Sequence, residues 1–418
     1  MVVTKPAMLY LKVVMLPVFE RLVFELRALK PSERTSTFFK RFFQLLITVN
    51  CCLYPLLVNA ATLAPDTVDA VYHRYDGGGM DIDGPFILVR KSIGTDFSVN
   101  GHYYVDSVSA ASIDVIATAS EYEEERTEYS LGLDYLHDKT IVSTGFTNSK
   151  ENDFEANSGF LSISQSFFGD LTTLSLAYVK GKDDVGMINN VFSEQAERDI
   201  YKMGLSQVLT KNSLLGFNLE MITDEGYLNN PYRSYRFLVD ENDPSAGDDT
   251  ATEKYPQTRT SYAAAVRALY YLPYRASLRA EYRFFNDSWD ITAHTYELAY
   301  VHPLSARWTV EGRYRYYTQT QAEFYKDLFP FKDAETFMAR DKELSRFSDF
   351  TVGGGVTYEF GQGVVPHIDR MKFTALLDYM KFSYDNFRDV TQQGFDPGEE
   401  PLYEFDAWVT RLSFTFEY

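Results

Sequence analysis

Apolar and polar residues alternate along most of the chain after residue 61, in segments of about ten residues bounded by turn residues. In ASLRAEYRFF, residues 276–285, Leu278 and Tyr282 share one face, and Arg279 and Arg283 lie on the other. Because successive side chains of a β-strand point to opposite faces, this period predicts strands with one apolar and one polar face. After residue 61, no apolar stretch approaches the roughly 18 residues of a transmembrane helix.

The connections between these segments alternate in length. Short turns at 94–96, 137–139, 168–170 and 210–213 alternate with longer polar segments, of which 224–257, 320–347 and 385–405 are prominent. Short connections at one end and long ones at the other are typical of outer-membrane barrels. The pattern predicts an all-β chain: a single transmembrane antiparallel up-and-down β-barrel of about 16 strands, with short periplasmic turns and long extracellular loops.

The start of the barrel is the least regular part of this pattern. The first strand is expected at 67–75 and the second at 86–93, with YDGGGMDIDGP, residues 75–85, as a flexible turn between them. Without the first strand, about 14 strands would fit the same sequence.

A soluble β-sandwich is the alternative fold, because its strands show the same alternation. A sandwich would place its charged residues on the outer faces, and it has no need for aromatic residues at the strand ends. The chain contains 31 Tyr and 32 Phe, and several apolar faces begin or end in such residues. Aromatic girdles at both edges of an apolar band favour the membrane barrel.

The N-terminus is typical of a targeting segment. Lys40 and Arg41 precede an apolar run at about 42–58, and Val58-Asn59-Ala60 fits a small-x-small cleavage site. Residues 1–60 are therefore predicted to be an N-terminal extension with a cleavable signal peptide, and 61–418 to be the barrel. Cys51 and Cys52 both fall in the segment that would be removed, so we expect no disulfide. The formal net charge of −19 argues against nucleic acid as a partner.

The chain ends in LSFTFEY, with Leu412, Phe414, Phe416 and Tyr418 at every second position. This stretch resembles the C-terminal insertion signal of bacterial outer-membrane barrels. The resemblance implies that these four residues are read by the barrel-assembly machinery. It also implies outer-membrane lipid as the surrounding medium.

Three further stretches resemble an uncharacterised family of Gram-negative outer-membrane barrels that is known as a domain of unknown function. They are VYHRYDGGG at 71–79, YVDSVSAASIDV at 104–115 and GYLNNPYRSYR at 226–236. The resemblance implies a location in the outer membrane of a Gram-negative bacterium and a barrel fold. It implies no reaction, since the family has no assigned activity.

Lumen residues follow from the parity of the strands. If Phe414 and Phe416 face lipid, the residues between them face inward, and mid-strand charges elsewhere must do the same, because Arg or Lys facing lipid at the midplane costs roughly 2 to 4 kcal/mol. The predicted lumen residues are Glu128, Asp134, Lys202, Glu220, Arg259, Arg267, Arg279, Glu281, Arg283, Glu297, Glu311, Arg313, Arg315, Glu359, Lys372, Asp378 and Arg411. Such charges either line a water-filled pore, or they pair across neighbouring strands and stabilise a barrel whose lumen does not conduct solutes.

Motifs for catalysis are few. His102, Tyr104 and Asp106 share one strand face, but four residues of extended strand separate His102 from Asp106 by about 13 Å, beyond a hydrogen bond. A catalytic dyad would therefore need a partner from another strand, and no catalytic residue is assigned. A Gly-Gly-Gly run at 353–355 lies inside a strand, where glycine permits a bend or a close approach.

Metal and cofactor signals are similarly weak. The six histidines never come as a close pair, so neither a zinc nor a haem site is supported, and we expect no cofactor. Asp240, Asp243 and Asp248, in DENDPSAGDD, offer oxygen ligands in the longest loop. They match a calcium loop only loosely, and a solvated acidic loop is the competing interpretation.

These observations predict an outer-membrane barrel that acts as a passive pore or export conduit for small hydrophilic solutes. One alternative is a non-conducting scaffold that holds a periplasmic or surface partner. A second alternative is an outer-membrane hydrolase that uses His102.

Overall fold

The computed structural model describes residues 62–110, 122–188, 191–361 and 365–418. The predicted signal segment, both cysteines and part of the stretch at 104–115 lie outside these ranges. Within them, no helix reaches the length and apolar content that a membrane crossing needs.

Eighteen strands run along the described chain. They are β1 (Thr67–Gly77), β2 (Met80–Ile93), β3 (Phe97–Ala110), β4 (Tyr122–His137), β5 (Thr140–Lys150), β6 (Phe154–Phe167), β7 (Thr172–Gly186), β8 (Ser193–Thr210), β9 (Ser213–Gly226), β10 (Ser234–Leu238), β11 (Asp248–Thr252), β12 (Thr258–Tyr271), β13 (Ser277–Asp287), β14 (Thr292–Pro303), β15 (Trp308–Gln319), β16 (Phe347–Glu359), β17 (Arg370–Arg388) and β18 (Leu402–Glu417). Short 3₁₀ turns occupy Pro244–Ala246 and Lys342–Leu344.

Sixteen of these strands form one closed antiparallel barrel, and β10 pairs with β11 in a separate two-stranded sheet. Each barrel strand pairs with its neighbours in the chain, except that β9 pairs with β12 and β1 pairs with β18. Closure comes from β1 and β18, which pair from Thr67 opposite Glu417 to Gly77 opposite Ala407. The predicted all-β barrel of 16 strands is confirmed.

The two faces of the barrel differ as the alternation requires. Arg283 on β13 reaches Glu220 on β9 across β12, and Arg313 on β15 reaches Asp378 on β17 across β16. Side chains two strands apart converge in this way on the concave side of a barrel, so this polar face points into the lumen. Most of the exposed large apolar side chains belong to the opposite, convex face.

Aromatic residues mark both edges of the convex apolar band. Toward the short-turn end these include Phe97, Tyr135, Tyr270, Trp308 and Tyr418, and toward the loop end Tyr72, Tyr103, Tyr129, Tyr262 and Trp408. Beyond the second edge the convex face becomes charged, for example at Lys381 and Glu404, which form an ion pair. Some strands are therefore longer than the band, and β17 has 19 residues.

The expected flexible turn at 75–85 was wrong. The turn consists of Gly78 and Gly79, whose φ angles of 61° and 77° favour glycine, and Met80 to Gly84 already belong to β2. The cluster of Gly and Asp residues concealed this part of the strand. Pairing with the neighbouring strands holds these residues in an extended conformation that their local β-propensity does not predict.

Gly84 permits a close approach between β2 and β3. A Cβ atom at Gly84 would lie 1.8 Å from the carbonyl oxygen of Val105, which is backbone and cannot turn away. Gly312, on the convex face of β15, has no neighbouring atom within 4 Å of the same position.

We expect Gly84→Ala to lower the free energy of unfolding by about 1 to 3 kcal/mol, because β3 must shift to admit the methyl group. Urea unfolding of the detergent-solubilised barrel measures the change. Gly312→Ala is the matched control and should shift the free energy by less than about 0.5 kcal/mol. Equal effects of the two substitutions would contradict the close approach.

Candidate functional site

All seventeen predicted lumen residues lie on the concave face, by the register of the strands that carry them. They are Glu128, Asp134, Lys202, Glu220, Arg259, Arg267, Arg279, Glu281, Arg283, Glu297, Glu311, Arg313, Arg315, Glu359, Lys372, Asp378 and Arg411. We call this face the lumen wall. The alternation of inward and outward side chains along each strand is enough to assign these residues to the lumen wall, since it continues through the barrel.

Basic and acidic side chains of the lumen wall pair across neighbouring strands. Arg267 on β12 bonds to Glu281 on β13 at 2.5 Å, and Arg279 on β13 bonds to Glu297 on β14 at the same distance. Lys202 lies 3.3 Å from Glu220. Cross-strand pairs of opposite charge stabilise a sheet, so these contacts are compatible with both predicted roles of the wall charges.

Asp378 is the most buried acid of this set, with its side chain 4% exposed. Both Arg313, through Nε at 2.7 Å, and Arg411, at 3.3 Å, donate to its carboxylate. Gly353 makes room for the arrangement, since a Cβ atom there would lie 1.8 Å from Asp378 Oδ1. The predicted glycine run therefore does permit a close approach, between β16 and the side chain of β17.

The part of the lumen wall formed by β1 and β3 carries two histidines, His73 and His102. His102 Nε2 lies 2.9 Å from Glu128, and its Nδ1 lies 2.8 Å from the Ser130 hydroxyl. Asp106 bonds instead to His73 Nε2 at 2.7 Å. His102 and Asp106 thus share a face but have different partners on different strands. The sequence contains no signal for Ser130 or His73 as partners, because they are 28 and 33 residues away from the groups that they contact.

Above the wall, the long loops form a folded unit that we call the cap, residues 227–257, 288–291, 320–346 and 389–401. One buried cluster contains Trp289, Ile291, Phe324, Tyr325 and Phe387. A second contains Tyr235, Phe237, Phe329 and Met338, and it lies against the β10–β11 sheet. The loops therefore have an apolar core of their own.

Buried ion pairs join the loops to one another. Arg236 of β10, whose side chain is 7% exposed, bonds to Asp248 and to Glu400, both at 2.7 Å. Arg340 bonds to Asp327 at 3.0 Å, and its guanidinium lies 4.3 Å from the centre of the Phe387 ring. Since removal of one partner leaves a buried charge unpaired, these contacts fix the cap in one arrangement.

The cap packs against the inside of the barrel. Its first cluster contacts Phe285, Phe347, Phe382 and Phe405. Phe382 pairs in register with Asp349, which is the partner of Arg315 on the lumen wall, so these rings point inward. The cap therefore lies over the outer opening of the lumen on the side of β13 to β18.

Glu253 is buried within the cap, with 2% of its surface exposed. It accepts hydrogen bonds from the Arg340 backbone N–H at 2.6 Å and from the Tyr255 hydroxyl at 2.8 Å. Burial, together with the nearby Asp341 carboxylate, raises the pKa of Glu253 to about 7.

Each of the three predicted calcium ligands makes a contact within the protein. Asp243 caps the Pro244–Ala246 turn, Asp248 pairs with Arg236, and Asp240 accepts from the Asn242 N–H. Over the ranges that the structure describes, the acidic side chains close enough to share an ion are Glu124, Glu151 and Asp153, which do not include any of the three.

The C-terminal residues of the predicted assembly signal lie on the convex face. Phe414 packs against Phe373 with the rings tilted by 43° and their centres 4.8 Å apart, and Phe416 pairs with Val68 across the closing seam. Lys91 lies over the Tyr418 ring at 4.5 Å.

Residues 189–381 match the sequence family described as "Protein of unknown function (DUF3570)". The predicted resemblance to a family of unknown function is confirmed, and the matched range includes the stretch at 226–236. A comparison with curated proteins gave no match.

Solved structures to which this chain is similar include bacterial outer-membrane proteins. A "bacterial polysaccharide outer membrane secretin" has a TM-score of 0.44 at 7% identity over 85% of this chain and 100% of that one. A FadL homologue of Pseudomonas aeruginosa has a TM-score of 0.38 at 11% identity, covering 84% and 89% of the two chains. OccK2 (OpdF) of the same organism, in complex with glucuronate, has a TM-score of 0.41 at 10% identity, covering 84% and 98%.

We expect Asp378→Asn to lower the free energy of unfolding by about 1 to 3 kcal/mol, because two guanidinium groups lose their shared carboxylate. Urea unfolding in detergent measures this change. Glu404→Gln removes a carboxylate from an exposed pair and is the control, with an expected effect within about 0.5 kcal/mol. An unchanged free energy of unfolding in Asp378→Asn would contradict the contribution of the buried acid to stability.

The cap should lose stability as the pH rises. Because the folded pKa of Glu253 is raised from 4.5 to about 7, the open cap releases the proton first, and stability falls between these values and then levels off. Glu253→Gln should remove this contribution and leave the cap better protected at about pH 8 than in the wild type.

Hydrogen exchange of the cap amides at about pH 5.5 and about pH 8, corrected for intrinsic rates, measures the effect. Glu335→Gln, at an exposed ion pair of the cap, is the control and should keep the pH dependence of the wild type. A pH dependence that is unchanged in Glu253→Gln would show that other groups cause it.

Proposed function

We propose that the chain is an outer-membrane β-barrel that passes small hydrophilic solutes through a lumen lined by charges of both signs. The observation that carries the proposal is the polar lumen wall inside a barrel of 16 strands. Barrels of 16 to 18 strands leave an aqueous channel, whereas barrels of about eight strands are filled by their own side chains.

The convex face supports the proposed location. Its apolar residues are exposed over a band with aromatic side chains at both edges, and the face becomes charged beyond that band. A bilayer removes this apolar surface from water, and girdles of Tyr and Trp suit the interfaces on either side. The short turns would then lie in the periplasm and the cap outside the cell.

The cap supports a size limit for the solute. It packs on the inward-pointing aromatic residues of β13 to β18, and so narrows the lumen on that side. A solute that crosses the lumen would pass His73 and His102 on one part of the wall and the inward-facing arginines of β12 to β15 on another. We call these arginines the arginine ladder: Arg259, Arg267, Arg279, Arg283, Arg313 and Arg315. Charges of both signs along this path favour small polar solutes over apolar ones.

A non-conducting scaffold is the competing function, favoured by the apolar core of the cap. The two functions differ in what happens when the cap is loosened: a channel narrowed by the cap conducts in the wild type and conducts more when the cap opens.

We expect Arg340→Ala to raise the single-channel conductance of the full-length protein in a planar lipid bilayer. The substitution removes the bonds to Asp327 and to the Arg388 carbonyl, and the contact with the Phe387 ring, so the loops separate. Arg275→Ala, in a turn at the opposite end of the barrel, is the control and should conduct as the wild type does. The absence of channel events in both the wild type and Arg340→Ala would overturn the proposal that the barrel is a pore.

A further inference from the structure

The lumen wall holds an arrangement of side chains that the transport of solutes does not require. Ser130, His102 and Glu128 form a linked series, with Ser130 Oγ 2.8 Å from His102 Nδ1 and His102 Nε2 2.9 Å from Glu128 Oε1. We propose that these three residues are a catalytic triad that hydrolyses short-chain carboxylic esters inside the lumen.

The hydrogen bonds have the direction that nucleophilic catalysis needs. An ionised Glu128 only accepts, so the His102 proton lies on Nε2 and leaves Nδ1 as an acceptor for the Ser130 hydroxyl. His102 can then take the proton of Ser130 as the hydroxyl attacks, while Glu128 stabilises the imidazolium.

The barrel positions this series rigidly. His102 on β3 and Ser130 on β4 are direct partners in the register, and Tyr104 faces Glu128 one step further along. Arg126 donates to the second oxygen of Glu128 at 3.1 Å and to Ser149 at 2.9 Å, which orients the carboxylate. Sites that lie on strands hold their geometry better than sites on loops.

The group is accessible from the lumen. The His102 and Glu128 side chains are 21% and 22% exposed, on a concave face that solutes would pass. Beside Ser130 the wall is made of small side chains, Thr147 on β5 and Ser158 on β6, with the partly exposed ring of Phe160 at the edge. These small side chains suit a short acyl chain.

Asn100, on the same face as Ser130, carries the amide that we assign as the donor for the substrate oxyanion. Its amide lies over Gly132, the next inward residue after Ser130, where a Cβ atom would be 2.7 Å from Asn100 Oδ1 and 3.0 Å from Asn100 Nδ2. The bond from this nitrogen to Asp134 is long, at 3.4 Å, which leaves the amide N–H available to donate to the carbonyl oxygen of an ester that Ser130 attacks.

The reaction balances with water as the second reactant. Ser130 Oγ attacks the ester carbonyl carbon and gives its proton to His102 Nδ1. The bond to the alkoxide breaks, and the alcohol leaves with that proton, so that the acyl group remains on Ser130. Water attacks the acyl carbon with His102 as base, the bond to Oγ breaks, and Ser130 recovers the proton as the carboxylic acid leaves.

The triad can be tested by adding a fluorophosphonate probe to purified full-length protein in detergent micelles. Such a probe phosphonylates an activated serine and releases fluoride. We expect one labelled peptide, containing Ser130, in the wild type. Hydrolysis of p-nitrophenyl butyrate should fall about 100-fold or more in Ser130→Ala and in His102→Gln, and by a smaller factor in Glu128→Gln.

Ser162→Ala changes a serine of β6 on the same face and is the matched control, with labelling and hydrolysis expected to equal those of the wild type. Heat-dependent migration on SDS gels and channel conductance check that each variant is folded, so loss of hydrolysis with normal conductance separates the triad from the pore. Failure of the folded wild type to react with the probe would overturn the triad. Labelling that persists in Ser130→Ala or in His102→Gln would also overturn it.

Discussion

The pairing of β1 with β18 is the constraint on which the rest of the structure depends. It leaves no strand of the barrel with an unpaired edge, and it fixes which side of every strand points inward. A shift of one residue at this seam would carry Arg411 to the convex face and Phe414 into the lumen. The cost of a charge in contact with lipid, together with the loss of the Arg411 contact with Asp378, opposes that shift.

Closure also explains why the lumen wall can hold so many charges. On a concave face the side chains of alternate strands converge, so Arg313 reaches Asp378 across a strand whose residue at the crossing is Gly353. The same geometry lets Arg283 reach Glu220 across β12. On the flat sheet of a β-sandwich, side chains two strands apart would not meet. Their charges would have to be solvated by water instead of by each other.

The barrel and its lumen face were predictable because one rule, the period of two, operates within each strand and does not require knowledge of the neighbours. The histidine contacts depend on register between strands, and nothing in the sequence near His102 specifies that Ser130 lies opposite it. The cap depends on contacts between loops that are far apart in sequence, such as Arg236 with Glu400, 164 residues away. Its short strands β10 and β11 were part of a predicted loop, because five residues are too few to show a period.

The lumen wall and the cap are physically connected through Arg259. This side chain bonds to Asp287 on β13, at 2.5 Å from Nη2, and its guanidinium lies 4.5 Å from the centre of the Trp289 ring in the cap. Trp289 in turn donates from its ring nitrogen to the Thr258 carbonyl at 3.0 Å. Because Trp289 belongs to the first apolar cluster of the cap, a change in the charge at Arg259 acts directly on that cluster.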